Sequence, residues 1–352
     1  MTKTALVVGS SGIIGQKIGQ RLRSDGWTVL GLARRPEGIA GVHPIAADLL
    51  DPASLKHAFA DVKLTHVLIS AWLRQSTEAE NIRVNSAMVR NVLDALAGRG
   101  IEHVALVTGL KHYLGPFEAY GKGTLPPTPF RETQERLPIE NFYYAQEDEL
   151  FAAALRDGFD WTVHRPHTVI GDSVGHAMNM GNTLAAFATI CKETGRPFRF
   201  PGSAQQWNGL TDMTDAELLA DHVRWTALTP SVRNQAYNVV NGDVFRWSWM
   251  WSRLAAYFGI EAVPFSGEIT PLAEQLKDAA PIWAEIATRH ELVEPDLGKL
   301  ASPWHTDADL GRPIEVVTDM SKSRKKGFLE YRATDDSFVA LFERLRAARV
   351  IP

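Results

Sequence analysis

Two adjacent tyrosines, Tyr143 and Tyr144, stand where apolar spacing predicts the start of a helix, with Leu150, Phe151, Ala154 and Leu155 on its inner face. A phenol can donate a hydrogen bond to a carbonyl oxygen that is gaining negative charge. A cation close by favours that chemistry, because it draws the phenol down from its ordinary pKa of about 10. The simplest source of the cation is a lysine one helical turn further on. Here those positions hold Glu147 and Asp148. A carboxylate there would push the phenol the other way, although acids in a first turn also suit the positive end of the helix dipole. The candidate cation is instead Lys111, at the end of the apolar run in TGLKHY, residues 108–113. On residue type alone either tyrosine could be its partner.

The elements around these residues alternate short β-branched runs with longer stretches at helical spacing, the pattern of a parallel sheet covered on both faces. Strands are predicted at Thr4–Val8, Thr28–Leu32, His66–Ser70, His103–Thr108 and Trp161–His164, with helices over Gly15–Arg23 and Asn81–Ala97. Beyond Arg165-Pro166 the rhythm breaks. Met178–Cys191 is predicted helical, Arg196–Gly202 is a turn-rich connector and Gln235–Val239 a return strand. The remainder is mostly helical, broken at Pro264, Pro271, Pro281 and Pro303. The fold class expected is α/β: a Rossmann-type doubly wound parallel sheet with a smaller, mostly helical C-terminal substrate lobe. The nucleotide-binding domain would span 1–170 with a return segment near 205–242, and the lobe 171–352. Trp247, Trp249 and Trp251 alternate like a strand, but the LAAYF that follows favours a helix of that lobe.

Gly9, Gly12 and Gly15 follow the first strand and open a helix. Glycines at that spacing allow a tight turn and close backbone approach, while the helix N-terminus favours a pyrophosphate. Gly9, Ser11, Gly12, Ile13 and Ile14 are therefore cofactor candidates. An NAD site usually carries an acid about 20 residues on, to hold the ribose 2′-hydroxyl. This chain has Arg34 and Arg35 there. Guanidinium groups match the charge and geometry of a 2′-phosphate, so the expected cofactor is NADP(H). Asp48, next to Leu49 between the strands Thr28–Leu32 and His66–Ser70, is placed to meet the adenine amine. Ser70, Ala71 and Trp72 end the strand that begins at His66, where backbone should pass beneath the riboses. Thr108, beside Gly109, suggests cofactor contact. Met178 and Met180 could floor a substrate site, since thioethers adapt to varied apolar shapes; packing on a helix face explains both equally well.

With 352 residues, 45% of them hydrophobic and 22% charged, the chain has material for a full core and a second lobe. Its formal charge of −4 argues against a nucleic-acid surface, and the basic run Lys322-Ser323-Arg324-Lys325-Lys326 is the kind that usually forms a solvated face. The single cysteine, Cys191, cannot form an internal disulfide. No segment reaches the roughly 18 apolar residues of a membrane span, and the first apolar stretch runs into glycines rather than a cleavage site. These features lead us to expect no membrane association and a cytoplasmic location. No Cys/His cluster has metal-ligand spacing.

Taken together, TGLKHYLGPF at 108–117, NFYYAQED at 141–148 and WTVHRP at 161–166 resemble the progesterone 5β-reductase and iridoid synthase-like enzymes, an atypical branch of the extended short-chain dehydrogenase/reductases. The likeness continues through Ser70-Ala71-Trp72, STEAEN at 76–81, NGDVFRW at 241–247 and KSRKKGF at 322–328, so it spans nearly the whole chain. It implies an NADPH-dependent reductase of enones and enals, with a homodimer as the family's assembly. It also implies Lys111 and Tyr143 as the working pair, which selects Tyr143 over Tyr144. Tyr113, Leu114 and Phe117 would line the substrate pocket, and Pro166 and Val169 would meet the nicotinamide carboxamide. Two departures stand out. His167-Thr168 replaces a frequent Gly-Asn, which puts Thr168 in the pocket, and His305 falls where the family has a pocket phenylalanine. Both make the pocket more polar.

The mechanism implied is hydride delivery to the β-carbon, with Tyr143 stabilising the enolate and Lys111 lowering the tyrosine's pKa while holding the ribose. Alternatives on the same scaffold are a carbonyl (1,2) reductase or a sugar-nucleotide epimerase or dehydratase; outside enzymes, an NADP(H)-sensing regulator without turnover. The physiological substrate and the stereochemistry of reduction are not legible in the residues.

Overall fold

The computed structural model describes residues 3–36, 41–120, 122–123, 125–176 and 178–352, except for the side chain of Phe117. Seven parallel strands form the central sheet: β1 (Thr4–Val8), β2 (Thr28–Ala33), β3 (His43–Ala46), β4 (His66–Ile69), β5 (His103–Val107), β6 (Asp160–Pro166) and the return strand Gln235–Val239. Their spatial order is β3-β2-β1-β4-β5-β6 and then the return strand. The order reverses between β1 and β4, and ligands of such sheets bind outside the carboxyl ends of the strands at that switch. The central strands are buried on both faces, which is why they are continuous apolar runs rather than alternating ones.

One face is covered by α2 (Pro52–Ala58), α3 (Glu78–Ala95) and α5 (Phe142–Asp157), through Leu55, Val89, Val92 and Leu150. The other is covered by α1 (Ile13–Ser24) and the helix Ala216–Leu228, where Ile18 and Leu22 meet Leu219 and Val223. Between α3 and α5 in the chain lies the single turn α4 (Lys111–Leu114). The sheet layer thus takes in the helix Ala216–Leu228 and the strand Gln235–Val239.

The C-terminal lobe has its own core. The helices Met180–Thr194, Trp247–Phe258, Ala279–Arg289 and Thr334–Ala347 converge on Phe187, Trp247, Trp251, Trp283 and Phe338. Trp247 and Trp251, four residues apart, face inward while Trp249 is half exposed, so the tryptophan alternation belongs to a helix. The connector after Gly195 contains a two-residue strand, Phe198–Arg199, paired with Ala262–Val263. Among the described residues no helix is long and apolar enough to cross a membrane, and no group of His, Cys, Asp and Glu could hold a metal ion.

Candidate active site

A cavity of about 750 Å³ opens at the carboxyl edge of the sheet, between the glycine turn and the lobe. The turn is built for close approach. Gly9 has a φ of +84°, and a Cβ on Gly15 would come within 2.2 Å of the Gly9 carbonyl oxygen. Helix α1 starts at Gly12 with no side-chain cap, so its first-turn N–H groups are available to an anion. Ser11, Ile13 and Ile14 line this end together with Arg34, Asp48, Leu49, Ala71 and Trp72. These residues could hold a dinucleotide along the cavity, with its pyrophosphate at the α1 terminus. Arg35 is exposed and does not reach the cavity wall, so the arginine pair divides: Arg34 lines the site alone. Successive residues leaving a strand point in different directions, which accounts for the split.

Lys111 and Tyr143 both line the same cavity, each only 8% exposed. Thr108 donates its backbone N–H to the His164 carbonyl at 2.9 Å and Leu110 donates to Pro166 at 3.1 Å, fixing the strand ends from which α4 departs. Asn141 then joins the two side chains' supports. Its Oδ1 caps α5 by accepting from the Tyr143 N–H at 3.0 Å, and its Nδ2 donates to the Lys111 carbonyl at 2.7 Å. Glu78 accepts from the Phe142 N–H at 2.7 Å. A Cβ on Gly109 would sit 3.3 Å from the Tyr143 hydroxyl, so the glycine keeps the phenol's approach open. Neither Asn141 nor Glu78 stood out in the sequence, although a polar residue directly before a predicted helix is the usual mark of a cap.

Tyr144 faces the other way. Its hydroxyl donates to the His112 carbonyl at 2.5 Å and accepts from Leu137 N–H at 3.0 Å. Glu147 also points away from the cavity, buried against Arg165 at 3.1 Å and Arg136 at 3.0 Å; Asp148 pairs with Arg136 at 2.7 Å. The acids where a lysine might have stood are therefore neutralised within the protein, beneath the site rather than in it.

Burial sets the electrostatics. It draws the Lys111 ammonium down to about 7, against the pull of Asp309, Glu78 and Glu118. Burial likewise raises the Tyr143 phenol well above its ordinary value, and Glu78 and Asp309 push in the same direction. The family resemblance implies a phenol lowered by the lysine; its surroundings raise it instead. Tyr143 therefore keeps its proton across the accessible pH range, which makes it a hydrogen-bond donor rather than a base.

Of the other predicted residues, Gly9, Gly12, Ser70, Thr108, Leu114, Pro166, Thr168, Val169, Met178 and His305 line the cavity. Tyr113 and Met180 do not. Tyr113 is fully buried, stacked on Phe130 with its hydroxyl donating to Asn238 Oδ1 at 2.8 Å. On a one-turn helix Lys111 and Leu114, three apart, share a face that the intervening Tyr113 cannot reach. Met180 begins its helix 1% exposed, in the lobe core. The side chain of Phe117, also expected in the pocket, lies outside the described residues. His167, singled out with Thr168 as a polar departure, lines the cavity as well, and Arg74, Tyr120, Asp309 and Arg312 line it without having been foreseen.

A family model for PRISE-like Rossmann-fold domains matches residues 42–352. The chain belongs to that family. Two relatives of this PRISE chain are an (S)-8-oxocitronellyl enol synthase of Nepeta cataria, 37% identical over 362 residues, and a 3-oxo-Delta(4,5)-steroid 5-beta-reductase of Arabidopsis thaliana, 37% identical over 365 residues. Each alignment covers 99% of this chain and 93% of the relative. The resemblance drawn from the three motifs thus holds from end to end. Among solved structures, a UDP-glucose 4-epimerase of Thermus thermophilus in complex with NAD superposes with a TM-score of 0.69 at 18% identity, covering 98% of this chain and 99% of that one. At that identity the likeness concerns the fold.

The arrangement around Asn141 gives an expected outcome. Asn141→Ala should cost about 1 kcal/mol of stability through the lost cap and release the Lys111 carbonyl, lowering kcat/KM about tenfold or more for any substrate that needs both side chains. Asn141→Asp keeps the cap acceptor but not the donor to Lys111. It should retain most of the melting temperature yet lose activity, which thermal melts beside steady-state kinetics will separate.

Proposed function

We propose that this chain is an NADPH-dependent reductase of activated carbon–carbon double bonds, carrying out 1,4-reduction of enones or enals. The observation that supports this most is the emergence of Lys111 and Tyr143 into one cavity, tied together through Asn141 and set beside the glycine turn. The relatives' names agree with it: one is a steroid reductase and the other forms an enol, and an enol or enolate is what addition at a β-carbon produces.

NADPH, when bound, supplies the hydride. Charge then collects on the substrate's carbonyl oxygen. Tyr143, held protonated by its burial, donates to that oxygen, and its stabilisation grows as the charge develops. Lys111 sits within the cavity wall to hold the ribose and to oppose the same negative charge. The enolate takes its α-proton from solvent, so no further acid is required of the protein. Arg34 favours the 2′-phosphate. An epimerase reading has less support, because the position four residues after Tyr143 is Glu147, committed to Arg136 and Arg165.

The test is oxidation of NADPH and NADH with small and large enones. The expected result is turnover with preference for NADPH, and a loss of about ten- to hundred-fold in that preference for Arg34→Ala, the worth of one charge-assisted contact. No oxidation of either cofactor across the panel would exclude the proposal.

A further inference from the structure

Beyond Lys111 the cavity ends in a charged network of which the hydride chemistry uses only the field of Asp309 on Lys111 and Tyr143. Asp212 accepts from the Thr318 N–H at 2.6 Å and bonds His167 Nδ1 at 2.8 Å. His167 Nε2 lies 2.9 Å from Arg312 Nη1. Arginine can only donate, so Nε2 is the acceptor and Nδ1 carries the imidazole's proton toward Asp212. The guanidinium also donates from Nε to the Asp309 carbonyl at 2.9 Å, and Nη2 is 3.9 Å from Asp309 Oδ1. Thr168 donates to Asp309 Oδ2 at 2.6 Å.

Every bond in this chain fixes a direction. Among the described residues two of the five N–H groups of Arg312 make hydrogen bonds, and both Arg312 and Asp309 line the cavity while being no more than 5% exposed. The Tyr120 ring joins this network to the reacting end: the Lys111 ammonium lies 5.8 Å from its centroid and the Arg312 guanidinium 5.9 Å. An aspartate and an arginine side by side present one acceptor and one donor of opposite charge. A neutral group able to both give and take a hydrogen bond satisfies both at once. An anion would meet Asp309, and a hydrocarbon would strip water from two ions without replacement.

We propose that Asp309 and Arg312 form a second recognition point, for a hydroxyl group on the substrate: the hydroxyl donates to the Asp309 carboxylate and accepts from the Arg312 guanidinium. Thr168 and His167 position the pair. The natural substrate is then a hydroxylated enone or enal rather than a wholly apolar one. The inference deepens the proposed function and rests on its reading of the cavity as the place where a carbonyl compound binds.

Binding is measured by calorimetry on the full chain saturated with NADP+, with cyclohexanone, its ring-hydroxylated isomers and a cyclohexanone carboxylate as probes. At least one hydroxylated ketone should bind about ten- to hundred-fold more tightly than cyclohexanone, the worth of hydrogen bonds to charged groups. Asp309→Asn should bring that ratio to within about twofold, and Thr168→Val should lower it while leaving the Kd for NADP+ in place. Equal binding of all the ketones overturns the inference, as does tighter binding of the carboxylate, or a loss in either variant confined to NADP+. Should Asp309→Asn fail to fold, the wild-type ratios and Thr168→Val decide. Enones that go unreduced while a hydroxyketone binds selectively would sink the reductase reading alone; enones that are reduced without regard to the hydroxyl would sink this inference alone.

Discussion

Tyr143→Phe should reduce kcat for enone reduction by about 10²–10³-fold, the usual cost of removing one donor to a developing oxyanion. KM should move by only a few-fold, because the hydrogen bond matters most once charge has formed. The ring stays in place: Phe142 packs against it with centroids 4.3 Å apart, and the backbone N–H remains capped by Asn141. Folding should therefore be unaffected, and a melt will check it. Tyr144→Phe is the informative control. It loses bonds to the His112 carbonyl and the Leu137 N–H beneath the site, so it should cost stability of about 1–2 kcal/mol with much less effect on kcat. If the two substitutions exchange these signatures, the assignment between adjacent tyrosines is inverted.

The second large effect concerns Lys111. Burial places its pKa at about 7, so the ammonium is lost as pH rises through neutrality. With the ammonium as the working form, kcat/KM should be level below about pH 7 and fall up to tenfold per unit above it. Lys111→Arg, which stays charged, should remove that decline, whatever it costs in absolute rate. Lys111→Met should lower kcat/KM about 10²-fold with no basic limb near 7. Stability moves oppositely. The folded value is depressed from 10.5 to about 7, so between those limits the unfolded chain binds the extra proton. The contribution of Lys111 therefore improves as pH rises through the window, by up to about 1.4 kcal/mol per unit, and is at its worst below 7. Relative to wild type, Lys111→Met should be most stable near pH 6 and lose that advantage toward pH 10. Denaturant titrations at several pH values will read this. A flat difference would mean that the lysine is not buried as charge.

How far such a site is legible in residues depends on how local its signals are. The sheet was readable because parallel strands are continuous apolar runs and the glycine turn is punctuation at fixed spacing. Lys111 and Tyr143 could be paired because each lies in a distinctive short motif, and the choice of Tyr143 over Tyr144 came from that resemblance rather than from any property of the two residues. The faces of short elements were not readable. Tyr113 was expected in the pocket but sits on the opposite side of a single turn from Lys111 and Leu114, and Met180 turned into the lobe core. The direction of the Tyr143 shift was also missed, because desolvation depends on everything packed around a group and not on one named partner. Nor could the network of Asp212, His167, Arg312 and Asp309 be foreseen, since its bonds span up to 145 residues. A partial sign was present: His305 and Asp309 are four apart on the helix Pro303–Leu310, with Arg312 three further on, and polar residues repeating on one helix face beside buried neighbours point inward to a shared partner.

The central claim is that hydride reaches carbon rather than the carbonyl group, with Tyr143 bound to the oxygen. It is tested most directly by single turnover of a simple enone with C4-deuterated NADPH, followed by NMR of the product. The expected product is a saturated ketone with deuterium on the β-carbon, formed much more slowly by Tyr143→Phe but with the label in the same place. An allylic alcohol carrying deuterium on the former carbonyl carbon would contradict the account.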